Sequence, residues 1–371
     1  MNAYSSPIRR QLAGELSFDW RWPAAVALLV FQVLFVDWLL LKPGGETALL
    51  WFDDIAVAVA PFVAGVMSLA AARRYWGSRT GVGWGLIGVG LFLFTFGDAT
   101  WAFQELAMGI EVPFPSVSDI GYLGGYLPVF LGLLLMPQAP ATGLRRTKLT
   151  LDILIGITAV GLISWHTVIA PLLAEGSGSH LADAVSVAYP FLDLAIVFAV
   201  LILVARARPG ASSLPILLLG AAFAVTAFSD SLYTYLSQVG DYATGSYIDA
   251  GWLAGYNLVT LAALLSVGPR LRTDPRPRDE EPPTSFWQSI AIYGAVVPVG
   301  VLLLVDMQRF LAAGVLVVVA LMFVRQLVTI REDIVLNSRL AELSAKLEVK
   351  VKEQTLRLLH RRGEAEGDSV R

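Results

Sequence analysis

Apolar residues collect along this chain in long runs that neither alternate nor leave a polar face. LPILLLGAAFAVTAF (214–228) and FLAAGVLVVVALMFV (310–324) are two of them. A half-buried strand would alternate, and a soluble helix would carry polar residues on its outer stripe. A helix crossing the hydrocarbon core of a bilayer needs about 20 apolar residues. Ten segments meet that length, with cores near 23–42, 54–72, 83–105, 117–136, 151–172, 183–205, 213–236, 248–268, 286–305 and 308–330. Inside hydrocarbon each backbone N–H and C=O must find its partner within the segment, which predicts helices. The pattern therefore predicts an all-α polytopic membrane bundle of about ten spans.

The polar connections set its direction, because cytoplasmic loops gather Lys and Arg. One side holds Arg9, Arg10 and Arg21, then Arg73, Arg74 and Arg79, then Arg145, Arg146 and Lys148, then Arg206 and Arg208, then Arg270, Arg272, Arg276 and Arg278. The other side holds Lys42 and Arg309 and is acidic: Glu46, Asp53, Glu105, Glu111, Glu175, Asp183 and Asp241. This alternation places both termini in the cytoplasm and the chain in the cell membrane. The first apolar segment has no small-residue cleavage site where a signal peptide would have one, so it reads as a span. The proline-rich and charged stretch 269–285 reads as a cytoplasmic linker that sets eight spans apart from a final pair, 286–330.

Composition sharpens the picture. Of 371 residues, 56% are hydrophobic and 15% charged, against roughly a quarter charged in soluble domains. Cysteine is absent, which excludes disulfides, thiolate metal sites and thiol catalysis. The formal net charge of −3 carries little information when charge is segregated by side. Nothing points to a nucleic-acid partner; the surrounding lipid is the expected one.

Within the first eight spans the sequence repeats. FGDATWAF (96–103) aligns with FSDSLYTY (228–235), and VSDIGYLGGYLPVF (117–130) with YIDAGWLAGYNLVT (247–260). Asp98 thus matches Asp230, Asp119 matches Asp249, Tyr122 matches Trp252 and Tyr126 matches Tyr256; upstream, APF (60–62) matches YPF (189–191). Self-similarity at long period marks internal duplication. Each copy has four spans, an even number, so the copies run the same way through the membrane, a parallel repeat about an axis near its normal. The repeats are 23–136 and 137–268, between an N-terminal segment 1–22 and the linker.

The alternation brings all four aspartates to the external end of the bundle, with Trp101, Tyr122, Tyr126, Tyr189, Tyr233, Trp252 and Tyr256 in or near the same layer. His166 and Asp193 lie somewhat deeper. These thirteen residues are the candidate ligand-binding set. Asp119 and Asp249 open helices, where a carboxylate also satisfies free N–H groups at the positive end of the dipole. The Tyr and Trp residues also suit an interfacial belt. Asp98 and Asp230 stand inside apolar segments, where a charge costs several kcal/mol unless paired or hydrated. They require either a donor from a neighbouring helix or a wet cavity. His166 fits a packed, hydrogen-bonded side chain as well as a ligand. Gly121, Gly124, Gly125, Gly251 and Gly255 fit close helix approach.

Several chemistries are excluded. A retinal Schiff base needs a lysine within a span, and the ten cores hold none apart from Lys42 at the outer edge of the first. A bis-histidine haem needs two membrane histidines, and only His166 qualifies. GVGWGLIGVG (81–90) lies inside a span and lacks the phosphate-loop pattern, so its glycines are packing residues. No cofactor, metal site or enzymatic activity is expected.

Beyond the last span, residues 331–362 form an amphipathic helix, expected to continue straight out of that span because no Gly or Pro interrupts Arg325 to Arg362, with an apolar stripe at Leu336, Leu340, Leu343, Leu347, Val351 and Leu358. Its spacing is that of a short coiled coil with one stutter. A parallel two-stranded coil joining two subunits is the expected use; the alternative is a helix lying on the membrane or on the protein's own loops.

Taken together, GD-x-x-W, P-F-P-S-x-x-D-x-x-Y-L, A-Y-P-x-x-D-L and the second D-x-x-W-L-x-x-Y resemble the polytopic N-terminal membrane region of bacterial GGDEF/EAL cyclic-di-GMP signalling proteins and some sensor histidine kinases. The resemblance covers about 50–268, and the tail LNSRLAELSAKLEVKVKEQT is similar to the signalling linkers of such proteins. It implies a membrane sensor that relays a signal through the tail to a cyclase or kinase. No such output sequence follows in this chain, so the output would be supplied by a partner or lie outside it. The alternatives are a subunit of a larger membrane complex and a transporter with intramembrane carboxylates.

A reporter fused after Asp279 is expected to be cytoplasmic, and one inserted within 175–180 external. Finding the 269–285 loop outside would overturn the assigned direction of every span.

Overall fold

The computed structural model describes residues 21–137, 143–175, 179–206, 214–267, 301 and 309–368. Among them are nine helices long and apolar enough to cross a membrane, and no strand. They are α1 (Arg21–Leu41), α2 (Gly45–Arg74), α3 (Arg79–Ala102), α4 (Val117–Leu135), α5 (Gly143–Ser164), α6 (His180–Ala205), α7 (Leu214–Val239), α8 (Asp249–Val267) and α9 (Arg309–Asp368). The all-α polytopic bundle read from the apolar runs is present. Most of the N-terminal segment, the linker and nearly all of the apolar segment 286–305 lie outside the described residues.

Six helices close a ring. α2 packs on α3, α3 on α4, α4 on α6, α6 on α7, α7 on α8, and α8 returns to α2. Residues matched in the repeat occupy matched places in it: α2 and α6 carry Pro61 and Pro190 inside the helix, α3 and α7 carry Asp98 and Asp230, and α4 and α8 carry Asp119 and Asp249 in their first turns. α1 lies outside the ring against α8 and α2. It is pinned there by Gln32, whose Nε2 donates to the Ala250 carbonyl at 3.0 Å and whose Oε1 accepts from Asn257 Nδ2 at 2.9 Å. α5 also lies outside, packed against α6, and α9 packs chiefly on α5.

In lipid there is little apolar driving force between helices, so close packing and hydrogen bonds hold them. The α3–α4 contact depends on glycine on both sides. A Cβ at Gly121 would stand 2.6 Å from the Leu93 carbonyl oxygen and 2.6 Å from the Gly97 nitrogen; one at Gly90 would stand 2.8 Å from the Gly125 carbonyl oxygen. Gly83, Gly88 and Gly90 of the glycine-rich run 81–90 all face close neighbours, which is their use. Below the aspartate layer the ring is filled by a dry core that includes Trp84, Ile87, Leu91, Leu133, Leu203, Leu219 and Leu253.

One sequence assignment changes here. Lys148, read as a loop residue, lies inside α5 and is buried, with Nζ 3.6 Å from Glu332 of α9. A lysine is therefore present within a long apolar helix, although not at the aspartate end. Four residues on, Asp152 Oδ1 accepts from Arg325 Nε at 2.9 Å, with both side chains buried. α9 is one uninterrupted helix of 60 residues, so the tail continues straight from the last span. Its leucine stripe, Leu336, Leu340, Leu343 and Leu347, is exposed.

Gly121→Ala is expected to destabilise the protein by about 1–3 kcal/mol, because the clash is with backbone that cannot yield. Gly124→Ala, whose Cβ would meet only Leu93 Cδ1 at 3.8 Å, is expected to be nearly neutral. Thermal unfolding of the detergent-purified variants checks both; equal shifts would overturn the packing role given to Gly121.

Candidate functional site

The polar end of the ring is organised from two helix starts. Ser116 caps α4, and its own backbone N–H donates to Asp119 Oδ2 at 2.6 Å, completing a capping box. The second repeat does the same: Asp249 Oδ2 accepts from the backbone N–H of Ser246 at 2.9 Å and of Gly245 at 2.8 Å. Both sequences read Ser-x-x-Asp, and the carboxylate in the first turn meets free N–H groups and the positive dipole end. Each aspartate then uses its second oxygen on a tyrosine: Asp119 Oδ1 accepts from Tyr189 at 2.6 Å and Asp249 Oδ1 from Tyr242 at 3.1 Å. The capping role expected for these two is present, and both also line the cavity described below.

Asp98 and Asp230 lie one layer deeper and trade partners across the repeats. Asp98 Oδ1 accepts from Tyr122 of its own repeat at 2.8 Å, and Oδ2 from Tyr256 of the other at 3.4 Å. Asp230 Oδ1 accepts from Trp252 Nε1 of its own repeat at 2.7 Å, and Oδ2 from Tyr126 of the other at 3.2 Å. The matched positions Tyr122 and Trp252 serve at home, and the matched positions Tyr126 and Tyr256 serve across. A buried carboxylate without donors is costly, and bonds to it are worth about 1.5–3 kcal/mol each. The two crossing contacts therefore bind the halves together, while all four make the buried carboxyls tolerable. The Tyr126 hydroxyl also reaches Asp193 Oδ1 at 2.6 Å. One hydroxyl hydrogen serves one acceptor at a time, so Tyr126 ties Asp193 and Asp230 into a single unit.

These groups surround a cavity of about 430 Å³. Twelve of the thirteen candidates line it: Asp98, Trp101, Asp119, Tyr122, Tyr126, Tyr189, Asp193, Asp230, Tyr233, Asp249, Trp252 and Tyr256. His166 does not; it lies in a π turn, Trp165–Ile169, at the end of α5. Tyr233, Tyr242 and Trp252 form an aromatic cluster on one wall, with ring centroids 4.6, 5.6 and 6.4 Å apart. Apolar side chains including Val57, Phe94, Val129, Ile196 and Phe223 complete the lining.

Among the lining residues that escaped the sequence reading are Asp53, Asp54, Tyr242 and Thr244. Asp53 had been grouped with loop acids, but it lies inside α2, whose start at Gly45 precedes the predicted core. Asp53 is 2% exposed and Asp54 6%, and Asp53 Oδ1 and Asp54 Oδ2 have no hydrogen-bond partner. Two adjacent carboxylates followed by the apolar run IAVAVA were the available signal. Glu105, also read as a loop acid, sits in a π turn, Phe103–Ala107, that extends α3. Its Oε2 accepts from Trp101 Nε1 and from Thr244 Oγ1, both at 2.9 Å, closing the cavity rim across the two repeats. No cluster of three acidic or imidazole side chains suited to a metal ion occurs among the described residues.

Tyr122→Phe and Tyr256→Phe each leave Asp98 with one donor, and each is expected to cost about 1–3 kcal/mol. Because they share one acceptor, the double variant should depart from additivity by about 0.5 kcal/mol or more. Thermal or denaturant unfolding in detergent measures the cycle; strict additivity would show that the two tyrosines act separately.

Comparison with protein-family models, curated proteins and solved structures gives no match, so the functional reading rests on this geometry.

Proposed function

We propose that this chain is an integral membrane sensory and signal-transduction module, with the cavity as its input and the α9 tail as its output. It is not an enzyme in this reading. It resides in the cell membrane with both termini cytoplasmic, the cavity at the external end, and it acts as a homodimer on a downstream cyclase or kinase. The single observation that carries the reading is the joining of a lined cavity to a long projecting helix by a chain of packed elements. The cavity lies in the ring, α6 belongs to the ring, α5 packs on α6, and α9 packs on α5.

The junctions suit a relay. Asp152–Arg325 and Lys148–Glu332 bind α9 to α5 by charge as well as by packing of Ile155, Ala159 and Leu162 against Leu311 and Val318. Removing one member of a buried pair typically costs about 3–5 kcal/mol, so α9 follows α5 rather than sliding on it. A shift of α6 on occupation of the cavity would thus reach the tail as rotation or translation of one rigid helix. Leu336, Leu340, Leu343 and Leu347 then supply the seam between two subunits. A coil of about four turns is marginal alone, and a membrane dimer holding its start would lower the entropy of forming it.

The same exposed stripe favours a second reading, a subunit docked by its tail in a larger membrane complex. The two readings separate on self-association. Leu340→Asp/Leu347→Asp is expected to turn a dimer into a monomer while the spans stay folded. With no native cysteine, Leu347→Cys offers a single disulfide cross-link across the coil, and Asp230→Asn in the cavity is expected to change its rate. A chain that is monomeric from the start favours the docked subunit, and a rate indifferent to Asp230→Asn removes the relay.

A further inference from the structure

The geometry points to a small organic cation as the occupant of the cavity: an ammonium group carried on an apolar or aromatic body, held by Asp53 and Asp54. The inference deepens the sensor reading and rests on it only for its biological use. Among the described residues seven aspartates line the cavity, and no lysine, arginine or histidine does. Five of them, Asp98, Asp119, Asp193, Asp230 and Asp249, are met by Tyr, Trp or backbone donors. Asp53 and Asp54 differ: both are more than nine-tenths buried, and although the Asp53 carboxyl also lies against Asp249 and the Gly245 N–H, Asp53 Oδ1 and Asp54 Oδ2 have no partner. Those two oxygens are where a donor from a ligand is required, since an unmet buried carboxylate oxygen is costly.

The rest of the lining describes the remainder of that ligand. Eleven aromatic rings surround the space, and the faces of Trp and Tyr attract cations electrostatically, more strongly away from water. Apolar side chains supply the other contacts. The volume, about 430 Å³, falls within the range of about 300–1,000 Å³ typical of small-molecule sites. An anion would face seven carboxyls. A metal ion would need oxygens converging on a point, which the described residues do not provide. An ammonium on a small apolar body matches the charge, the rings and the space together.

The test uses the full chain in detergent, with phenethylammonium as the probe and quenching of tryptophan fluorescence together with a thermal shift as readouts. Trp101 and Trp252 line the cavity and report occupation. Phenethylammonium is expected to bind at least about tenfold more tightly than neutral N-acetylphenethylamine or anionic 3-phenylpropionate, the worth of one charge-assisted hydrogen bond. Asp53→Asn/Asp54→Asn should lose about tenfold or more of that affinity. If this variant does not purify folded, charge selectivity on the native chain decides. Equal binding of the three probes, no binding to folded protein, or displacement by millimolar Mg²⁺ or Na⁺ overturns the proposal; absence of binding would show that protons neutralise the aspartates instead. A free amine and a lipid headgroup share this chemistry. Nanodiscs of phosphatidylglycerol with and without phosphatidylethanolamine tell them apart: loss of probe binding in the mixed discs assigns the site to the lipid amine, and retention assigns it to a solute. Binding is read at the cavity, so a cation that binds without altering cross-linking at Leu347→Cys supports this inference and removes the relay.

Discussion

The structure turns on carboxylates that have been taken out of water. Asp98 and Asp230 stand inside apolar helices, and each survives there because two ring-borne donors reach it, one from its own repeat and one from the other. That exchange makes the polar end of the bundle a single unit. Neither half can satisfy its own deep aspartate alone, so the hydrogen bonds that neutralise burial are also the bonds that join the halves. The apolar end needs a different device, because lipid competes equally for apolar surface. There, glycines let α3 and α4 approach to backbone distance, and interdigitated side chains fill the ring.

This division of labour places the cavity. Where the ring is filled by Trp84, Leu91 and Leu133 it has no room for a ligand. Where tyrosine, tryptophan and aspartate project inward, their lengths and their need for partners hold the helices at a spacing that leaves the cavity. The caps contribute as well. Asp119 and Asp249 start their helices and still offer a second oxygen inward, to Tyr189 and Tyr242, so a structural carboxylate and a lining carboxylate are the same residue in each repeat. The two readings of those aspartates were never exclusive.

The attachment of the tail follows from what the ring does not use. α1 and α5 both remain outside it, but among the described residues only α5 has a charged pair and an apolar face occupied by α9. The asymmetry between otherwise matched outer helices attaches the tail to one side of a duplicated bundle.

Much of this was legible in the chain. The apolar runs determined helices and spans, since hydrocarbon leaves the backbone no other partners. The repeated Asp, Tyr and Trp spacings pointed to ten of the cavity's lining residues, because a duplicated motif in an apolar setting marks positions with a shared physical task; Tyr189 and Asp193 came from their depth in the spans. The unbroken pattern from the last span into the tail determined one long helix. Three things were decided only by tertiary structure. The first is the exchange of donors between repeats, which depends on α4 meeting α6 and α8 meeting α2, contacts distant in sequence. The second is the placement of Asp53 and Lys148 inside helices: a charge near the end of an apolar run reads as loop until a neighbouring helix covers it. The third is Asp152–Arg325, a pair 173 residues apart, in which each charge alone looks like an interruption of its span and only the packing of α9 on α5 makes it a join.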